Sequence, residues 1–217
     1  MNSVFVTGTD TDVGKTRISV ALIELLQQQG LTVAGMKPIA SGCEMTIDGL
    51  RNDDAVKLIQ QAKCDLPYKL VNPYAFEPAI APHIAAEQVG IDIDLTQIKT
   101  NFQQIQKNVD AVVVEGAGGW LVPINKRQTI ADIAKTLQLP IILVIDIRLG
   151  CINHALLTVE AIKQSGLILQ GWVANQRENN LQADTIIATL QQRISEPCMG
   201  KVPKLMPQQS ASEFITI

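Results

Sequence analysis

The segment Gly8-Thr9-Asp10-Thr11-Asp12-Val13-Gly14-Lys15-Thr16 lies between the apolar run at residues 4–6 and a helical pattern that begins at Ile18. A buried strand, a glycine-bearing turn and a helix start together form a phosphate cradle, because backbone N–H groups and the helix dipole both point at an anion held there. At this spacing Lys15 is expected to reach the terminal phosphates, and the Thr16 hydroxyl to hold Mg²⁺.

The loop departs from the common phosphate-loop pattern at one position. That pattern places four residues between its first glycine and Gly-Lys-Ser/Thr. Here five residues separate Gly8 from Gly14, so Thr9 stands where the first glycine belongs. The alternative is an ordinary glycine-containing loop with an exposed lysine, but the strand before and the helix after favour a phosphate loop.

Length and composition predict one large domain or a tight pair of domains, since the chain is 47% apolar and long enough to bury a large core, and we expect a single domain over residues 1–217. A net charge of −3 without any basic run gives no electrostatic footprint for nucleic acid or for a membrane surface. The sequence has no apolar run of membrane-spanning length and no signal-peptide pattern, so we expect a cytoplasmic protein.

The cysteines and histidines do not indicate a metal cluster or a disulfide framework. Four cysteines are scattered without C-x-x-C spacing, which is typical of free thiols in a reducing compartment: Cys43, Cys64, Cys151 and Cys198. The two histidines, His83 and His154, are far apart in sequence, and we expect both to have structural roles.

Apolar strands and helical patterns alternate along the chain. Strands are predicted at residues 4–6, 31–36, 110–115, 140–146 and 169–175. Helices are predicted from residue 18 and from residue 53, and at residues 96–107, 130–137, 153–164 and 181–194. The strands are continuously apolar, which indicates burial on both faces. The prediction is therefore an α/β, P-loop NTPase-like fold of three layers, with a mainly parallel sheet and helices on both faces.

Four segments are predicted to be irregular. Turn signals mark residues 39–52 as a loop, and glycines mark residues 116–119 as a loop behind a strand. Residues 66–82 contain four prolines and are expected to form a stiff surface excursion. Residues 207–217 are expected to be a short irregular tail.

Polar side chains follow several of the predicted strands. Lys37, Glu115 and Asn175 lie just past strand ends, and Asp54 follows the loop that leaves the second strand. Because ligands of such folds bind at the carboxyl ends of the strands, we expect these side chains to meet at one edge. Each position alone has an ordinary explanation as a helix cap or a solvated side chain, and it is their convergence that favours a site.

The polar residues at this edge predict a magnesium site and, beside it, a pair of lysines that can bind anionic groups. Oxygen atoms from Thr16, Asp54 and Glu115, completed by waters and phosphates, suit Mg²⁺. Lys15 and Lys37 can both neutralise charge that builds on a transferred phosphoryl group.

The chain resembles the dethiobiotin synthetase family through several sequence blocks that occur in that family's order and cover nearly the whole chain. The blocks are the loop Gly8-Thr9-Asp10-Thr11-Asp12-Val13-Gly14-Lys15-Thr16, then Lys37-Pro38-Ile39-Ala40-Ser41-Gly42, Leu50-Arg51-Asn52-Asp53-Asp54-Ala55, Asn72-Pro73-Tyr74, Glu115-Gly116-Ala117-Gly118-Gly119 and Leu149-Gly150-Cys151-Ile152-Asn153-His154-Ala155. The resemblance implies an ATP- and Mg²⁺-dependent ring closure in biotin biosynthesis, in which 7,8-diaminononanoate and CO₂ give dethiobiotin, ADP and phosphate through a carbamate and a carbamic–phosphoric anhydride.

The resemblance also implies roles for individual residues. Lys37, Lys15 and Thr11 would be catalytic, and Thr16, Asp54 and Glu115 would hold the metal. The substrate would contact Thr11, Lys37, Ser41, Gly150, Cys151 and Asn153. The nucleotide would contact Asp12, Val13, Gly14, Lys15, Thr16, Arg17, Asp54, Glu115, Gly116, Ala117, Gly118, Asn175, Gln176, Pro203, Lys204 and Leu205, with Asn175 and residues 203–205 at the adenine.

Family members are similar in forming homodimers with substrate sites at the subunit interface, so the turn at residues 150–153 is expected to meet the neighbouring subunit's substrate. The alternative for this turn is an ordinary helix start capped by Asn153. The family commonly has Glu where this chain has Asp12, and Asp12 therefore receives no sharp role.

Three other classes fit parts of the sequence. A partitioning-type ATPase shares the sheet, but it would carry a second lysine where Thr9 and Asp10 stand. The amidating ligase of corrin biosynthesis would need an attached glutamine-hydrolysing domain. A nucleotide-binding module without chemistry leaves Lys37, Ser41 and Asp54 unexplained.

Overall fold

The computed structural model describes residues 3–206 and 208–217. Within the predicted domain, Met1, Asn2 and Pro207 lie outside the described residues. The strands are β1 (Val4–Gly8), β2 (Val33–Met36), β3 (Ile39–Ala40), β4 (Glu44–Thr46), β5 (Gly49–Arg51), β6 (Tyr74–Ala75), β7 (Ala111–Gly119), β8 (Ile141–Asp146), β9 (Leu169–Asn175) and β10 (Cys198–Val202). The helices are α1 (Lys15–Gln28), α2 (Asp53–Ala62), α3 (Tyr68–Val71), α4 (Pro82–Gln88), α5 (Leu95–Gln106), α6 (Ile130–Leu137), α7 (Cys151–Gln164), α8 (Ala183–Arg193) and a 3₁₀ helix, Ala211–Phe214.

A six-stranded sheet forms the centre, in the order β10-β9-β8-β1-β7-β2, and each of its strand pairs is parallel. Successive residues of β1 enter different cores: Phe5 packs with one hydrophobic cluster, whereas Val4 and Val6 pack with the other. This alternation follows from the two-residue period of a strand, and it shows that the sheet is covered on both faces. The predicted three-layer arrangement is therefore confirmed.

Helices α1 and α2 cover one face of the sheet, and α5 to α8 cover the other. Ile18, Leu22 and Leu58 belong to the cluster that contains Val4 and Val6, while Ile98 and Ile187 belong to the cluster that contains Phe5. Among residues 3–206 and 208–217, no helix combines the length and the apolar character needed to cross a bilayer.

The structure corrects four details of the prediction. The predicted loop at residues 39–52 contains β3 and an antiparallel hairpin of β4 and β5. Residues 116–119 do not form a loop but continue β7, where Gly119 pairs with Gly8. Three of these four residues are glycines, which allows their backbone to lie close to the phosphate loop. Strand β10 and helix α4 were not predicted. The described part of the tail contains the 3₁₀ helix, which Ser210 and Glu213 cap reciprocally.

Candidate active site

The phosphate loop joins β1 to α1 and is fixed by backbone shape. Gly14 precedes the helix with φ +95°, and a Cβ at this position would lie 2.2 Å from Asn175 Nδ2, so only glycine fits. A Cβ at Gly8 would lie 2.4 Å from Val13 Cγ2. Asp12 has φ 57°, a left-handed conformation that Asp tolerates better than most residues. The loop therefore keeps both glycines and accommodates Thr9 as an extra residue.

Lys15 lies at the first position of α1 and is only 7% exposed. Its Nζ donates a hydrogen bond to the carbonyl oxygen of Asp10 at 2.9 Å, inside the same loop. Burial, and after it the nearby positive charge of Lys37, lower the pKa of Lys15 to about 8. The Lys15 side chain is therefore hydrogen-bonded to its own loop, and its ammonium group loses a proton more readily than that of an exposed lysine.

Lys37 follows β2 and lies between two carboxylates. Its Nζ is 2.5 Å from Glu115 Oε1 and 3.1 Å from Asp54 Oδ2. Burial acts to lower the pKa of Lys37, but the two carboxylates outweigh burial and raise it. Burial would raise the pKa of Asp54, yet the Lys37 ammonium and the Thr16 hydroxyl hold it below its usual value. Lys37 and Asp54 therefore stabilise each other's charged forms.

The oxygen atoms around this cluster fit a divalent cation that also binds phosphate. Thr16 Oγ1 donates to Glu115 Oε1 at 2.9 Å, and Glu115 Oε2 is buried without a hydrogen-bond partner among the residues that the structure describes. A buried carboxylate oxygen without a partner is costly, and a bound cation or water would satisfy it. Over the described residues no cluster of three or more His, Cys, Asp or Glu side chains exists, so a cation here would need further oxygens from phosphate and water.

One cleft of about 1520 Å³ joins these features. From the phosphate-loop side it is lined by Thr11, Asp12, Gly14, Lys15, Thr16 and Arg17. From the other strand ends it is lined by Lys37, Ser41, Asp54, Glu115, Ala117 and Gly118. Leu205, which follows β10, also lines the cleft. The sheet edge therefore gathers the charged residues as the sequence predicted, with Lys15 and Lys37 facing one cavity.

Comparison with known proteins places the chain in a family. A family model described as an AAA domain matches residues 2–211. The chain is 45% identical to the ATP-dependent dethiobiotin synthetase of Chromohalobacter salexigens, over 100% of this chain and 98% of that protein. It is 48% identical to the enzyme of the same name from Cellvibrio japonicus, over 93% of this chain and 89% of that protein. This chain belongs to the dethiobiotin synthetase family. The predicted ATP-dependent ligase of biotin biosynthesis is confirmed.

Solved structures of a similar fold include the cell division protein MinD of Aquifex aeolicus, with a TM-score of 0.61 at 14% identity over 96% of this chain and 84% of that chain. The septum site-determining protein MinD of Pyrococcus horikoshii has a TM-score of 0.58 at 14% identity, over 97% of this chain and 92% of that chain. Identity this low shows the fold alone. The P-loop NTPase fold is therefore confirmed, and the partitioning-type alternative gains no support.

Some residues that the resemblance to dethiobiotin synthetases singled out lie beneath the cleft. Asn175 is buried under Gly14, where its Nδ2 donates to the Val13 carbonyl oxygen at 2.8 Å and its Oδ1 has no partner. Gly116 is buried in β7, and its carbonyl oxygen lies 3.4 Å from Lys37 Nζ. These residues shape the loop and the charged cluster from below.

Other candidate residues lie outside the cleft walls. Gln176 is fixed by a backbone hydrogen bond to Val202, and Pro203 and Lys204 follow that strand. At the start of α7, Gly150 and Asn153 are exposed while Cys151 is buried. The turn is a helix start, as the alternative had it, but its N-cap is Gly150, with φ +87°, and not Asn153.

The cleft also contains residues that the sequence did not suggest. Arg177, the segment 79–82 and the C-terminal residues 208–211 all line it. Segment 79–82 belongs to the proline-containing excursion, which therefore borders the site. A residue such as Arg177, which follows a strand by two positions, carries no motif, and only the strand-end rule could have drawn attention to it.

The lowered pKa of Lys15 predicts how nucleotide affinity changes with pH. The free protein loses the Lys15 ammonium as the pH rises through about 8, so we expect ADP affinity to fall above pH 8 by up to about tenfold per pH unit. Isothermal titration between about pH 7.5 and 9.5 measures this slope. The Lys15→Arg variant stays charged over that range and should show no slope, and equal slopes in both proteins would contradict the assignment.

Proposed function

We propose that this protein closes the cyclic urea of dethiobiotin, using 7,8-diaminononanoate, CO₂ and ATP and releasing ADP and phosphate. The observation that carries the proposal is the convergence of Lys15 and Lys37 on one cleft beside Thr16, Asp54 and Glu115. A triphosphate and an anionic nucleophile need such a concentration of positive charge, because each repels the other in water.

The proposed chemistry has three steps. One amine of the diamine adds to CO₂, loses a proton and becomes a carbamate. A carbamate oxygen then attacks the γ-phosphorus, and the bond to ADP breaks, which gives a carbamic–phosphoric anhydride. The second amine attacks the carbonyl carbon, loses a proton and displaces phosphate as the ring closes.

In this proposal Lys15 and Lys37 bind different groups. Lys15 is at the phosphate loop and moves from the Asp10 carbonyl to the terminal phosphates. Lys37, held between Asp54 and Glu115, neutralises the carbamate and the transferred phosphoryl group. Because the two carboxylates hold Lys37 rigidly, its charge needs no reorganisation when the reaction begins.

We also propose Mg²⁺ bound by Thr16, Asp54 and Glu115. The orphaned Glu115 Oε2 and the acceptor-rich chemistry of the three side chains support this choice. When bound, the ion would neutralise charge on the phosphate oxygens and orient them.

For the substrates, we propose that adenine contacts Asn175 and residues 203–205, and that the diamine contacts Thr11 and Ser41. The unpartnered Asn175 Oδ1 is an acceptor suited to the amino group of adenine. Ser41 Oγ is likewise buried without a partner and borders the cleft. Both atoms would be costly to leave unsatisfied, which supports a ligand at each.

We further propose a cytoplasmic homodimer in which residues 1–217 form a single synthetase domain. Gly150 and Asn153 are exposed outside the cleft of their own subunit, which fits contact with a neighbour's substrate. Leu149 is 96% exposed directly beside them, and burial against a second subunit would remove this apolar surface from water. A purified protein that is monomeric at micromolar concentration would remove the proposed role of Asn153.

Phosphate release from ATP tests the proposed function. We expect release to require both the diamine and bicarbonate, since the carbamate is the nucleophile, and we expect dethiobiotin to form in equal amount. Omitting either co-substrate is the matched control. ATP turnover that is independent of both would contradict the synthetase assignment and favour a nucleotide switch.

A further inference from the structure

An arginine outside the assigned site bridges two carboxylates at the base of the phosphate loop. Arg148 lies in the turn between β8 and α7. Its Nη2 is 3.1 Å from Asp10 Oδ2, and its Nε is 3.4 Å from Asp146 Oδ2. Arg148 thus joins the loop to the end of the neighbouring strand.

Asp10 makes this bridge relevant to nucleotide binding. Its Oδ1 accepts a hydrogen bond from the Thr11 N–H at 2.8 Å, and its carbonyl oxygen accepts the Lys15 ammonium at 2.9 Å. The side chain and the backbone of Asp10 therefore fix both the turn of the loop and the resting position of Lys15.

The loop also carries carboxylates of its own, although it must receive a polyanion. Asp10 and Asp12 both lie within it, and Asp146 lies behind it. Without a compensating cation, these carboxylates would repel a triphosphate and would repel one another. Arg148 faces two of the three.

We propose that Arg148 is a positioning residue for nucleotide binding, which neutralises Asp10 and Asp146 and holds the loop in the shape that receives the phosphates. This inference rests on the proposed function, because it requires a triphosphate in the loop. A guanidinium suits the position, since its planar fork reaches two carboxylates at once, which the point charge of a lysine does less well.

The test compares ADP and ATP affinity of the wild type and the Arg148→Met variant by isothermal titration. The bridge is about half exposed at Arg148, so we expect affinity to fall by about fivefold, with kcat at saturating ATP within about twofold of the wild type. At about 1 M salt, where charges are screened within about 3 Å, the difference should disappear. A purely structural defect would persist in salt and would lower the melting temperature.

Two further variants make the result specific. Arg193→Met removes the same charge from the exposed end of α8 and should leave affinity unchanged. In the Arg148→Met background, Asp10→Asn keeps the acceptor for Thr11 N–H but removes the charge, and should restore affinity to within about twofold. Equal affinities of wild type and Arg148→Met, or a salt-independent loss, overturn this inference alone. A wild type that binds no adenine nucleotide contradicts the proposed function as well.

Discussion

Replacing Lys37 with alanine is expected to abolish diamine-dependent phosphate release, with a fall in kcat of about 10²- to 10³-fold, the size seen when one preorganised charge donor is removed. Lys37 is the cation enclosed by Glu115 and Asp54 in the described structure. The residue is only 4% exposed, so a solvent cation or a surface side chain cannot easily take the place of its ammonium group. Steady-state phosphate release with saturating ATP, diamine and bicarbonate measures the effect.

The same substitution has a cost in stability that the experiment must separate from catalysis. Removing one partner of a buried ion pair costs about 3–5 kcal/mol, and Glu115 is left fully buried. A double variant, Lys37→Ala with Glu115→Gln, relieves that charge and should recover the melting temperature without recovering turnover. Lys135→Ala, which removes a half-exposed lysine paired with Asp132, is the matched control. Retention of more than a tenth of wild-type kcat in a folded Lys37→Ala protein would contradict its role.

Gly14→Ala is expected to lower ADP affinity by about 10²-fold or more, since displacing a binding group by about 1 Å has effects of that order. The backbone at Gly14 has φ +95°, and the added Cβ would overlap Asn175 Nδ2 at 2.2 Å. Either the loop or the Asn175 side chain must move, and each borders the nucleotide in the proposed complex. Titration with ADP measures the loss.

Gly30→Ala provides a matched control for that experiment. Gly30 has nearly the same backbone angle, φ +86°, but nothing lies within 4 Å of its added Cβ. The Gly30→Ala variant should lose only about 1–2 kcal/mol of stability, the cost of a left-handed backbone for a residue with a Cβ, and should bind ADP normally. If the two variants bind ADP equally well, the contact between Gly14 and Asn175 does not shape the site.

The sheet was predictable because its strands are apolar without interruption, which is a strong local signal. Strand β10 was missed because its sequence, Cys-Met-Gly-Lys-Val, mixes a glycine and a lysine with apolar residues, which a strand at the sheet edge permits. The hairpin of β4 and β5 was missed because its strands are solvent-facing and only three residues long. Such short elements depend on their surroundings more than on their own sequence.

The site was predictable as a set of strand ends but not as a geometry. The rule that parallel strands present ligands at their carboxyl ends brought Lys37, Glu115 and Asp54 together. No spacing rule could show that Lys37 would lie between the two carboxylates, because that depends on side-chain directions across β2 and β7. Arg148 went unnoticed for the same reason, since Asp10 is 138 residues away in sequence.

Strand β1 pairs with β7 on one side and with β8 on the other, so that Val4 lies opposite Val113 and Phe5 opposite Ile141. During synthesis on the ribosome, the nascent chain must therefore emerge to about residue 146 before its first strand can acquire both neighbours. Until then the edge of β1 that pairs with β8 stays without its hydrogen-bonding partner and is open to chaperones or to aggregation. The strand that leads into the phosphate loop is therefore completed only after β8 has been synthesised. Nucleotide binding could stabilise the new chain only from that stage onward.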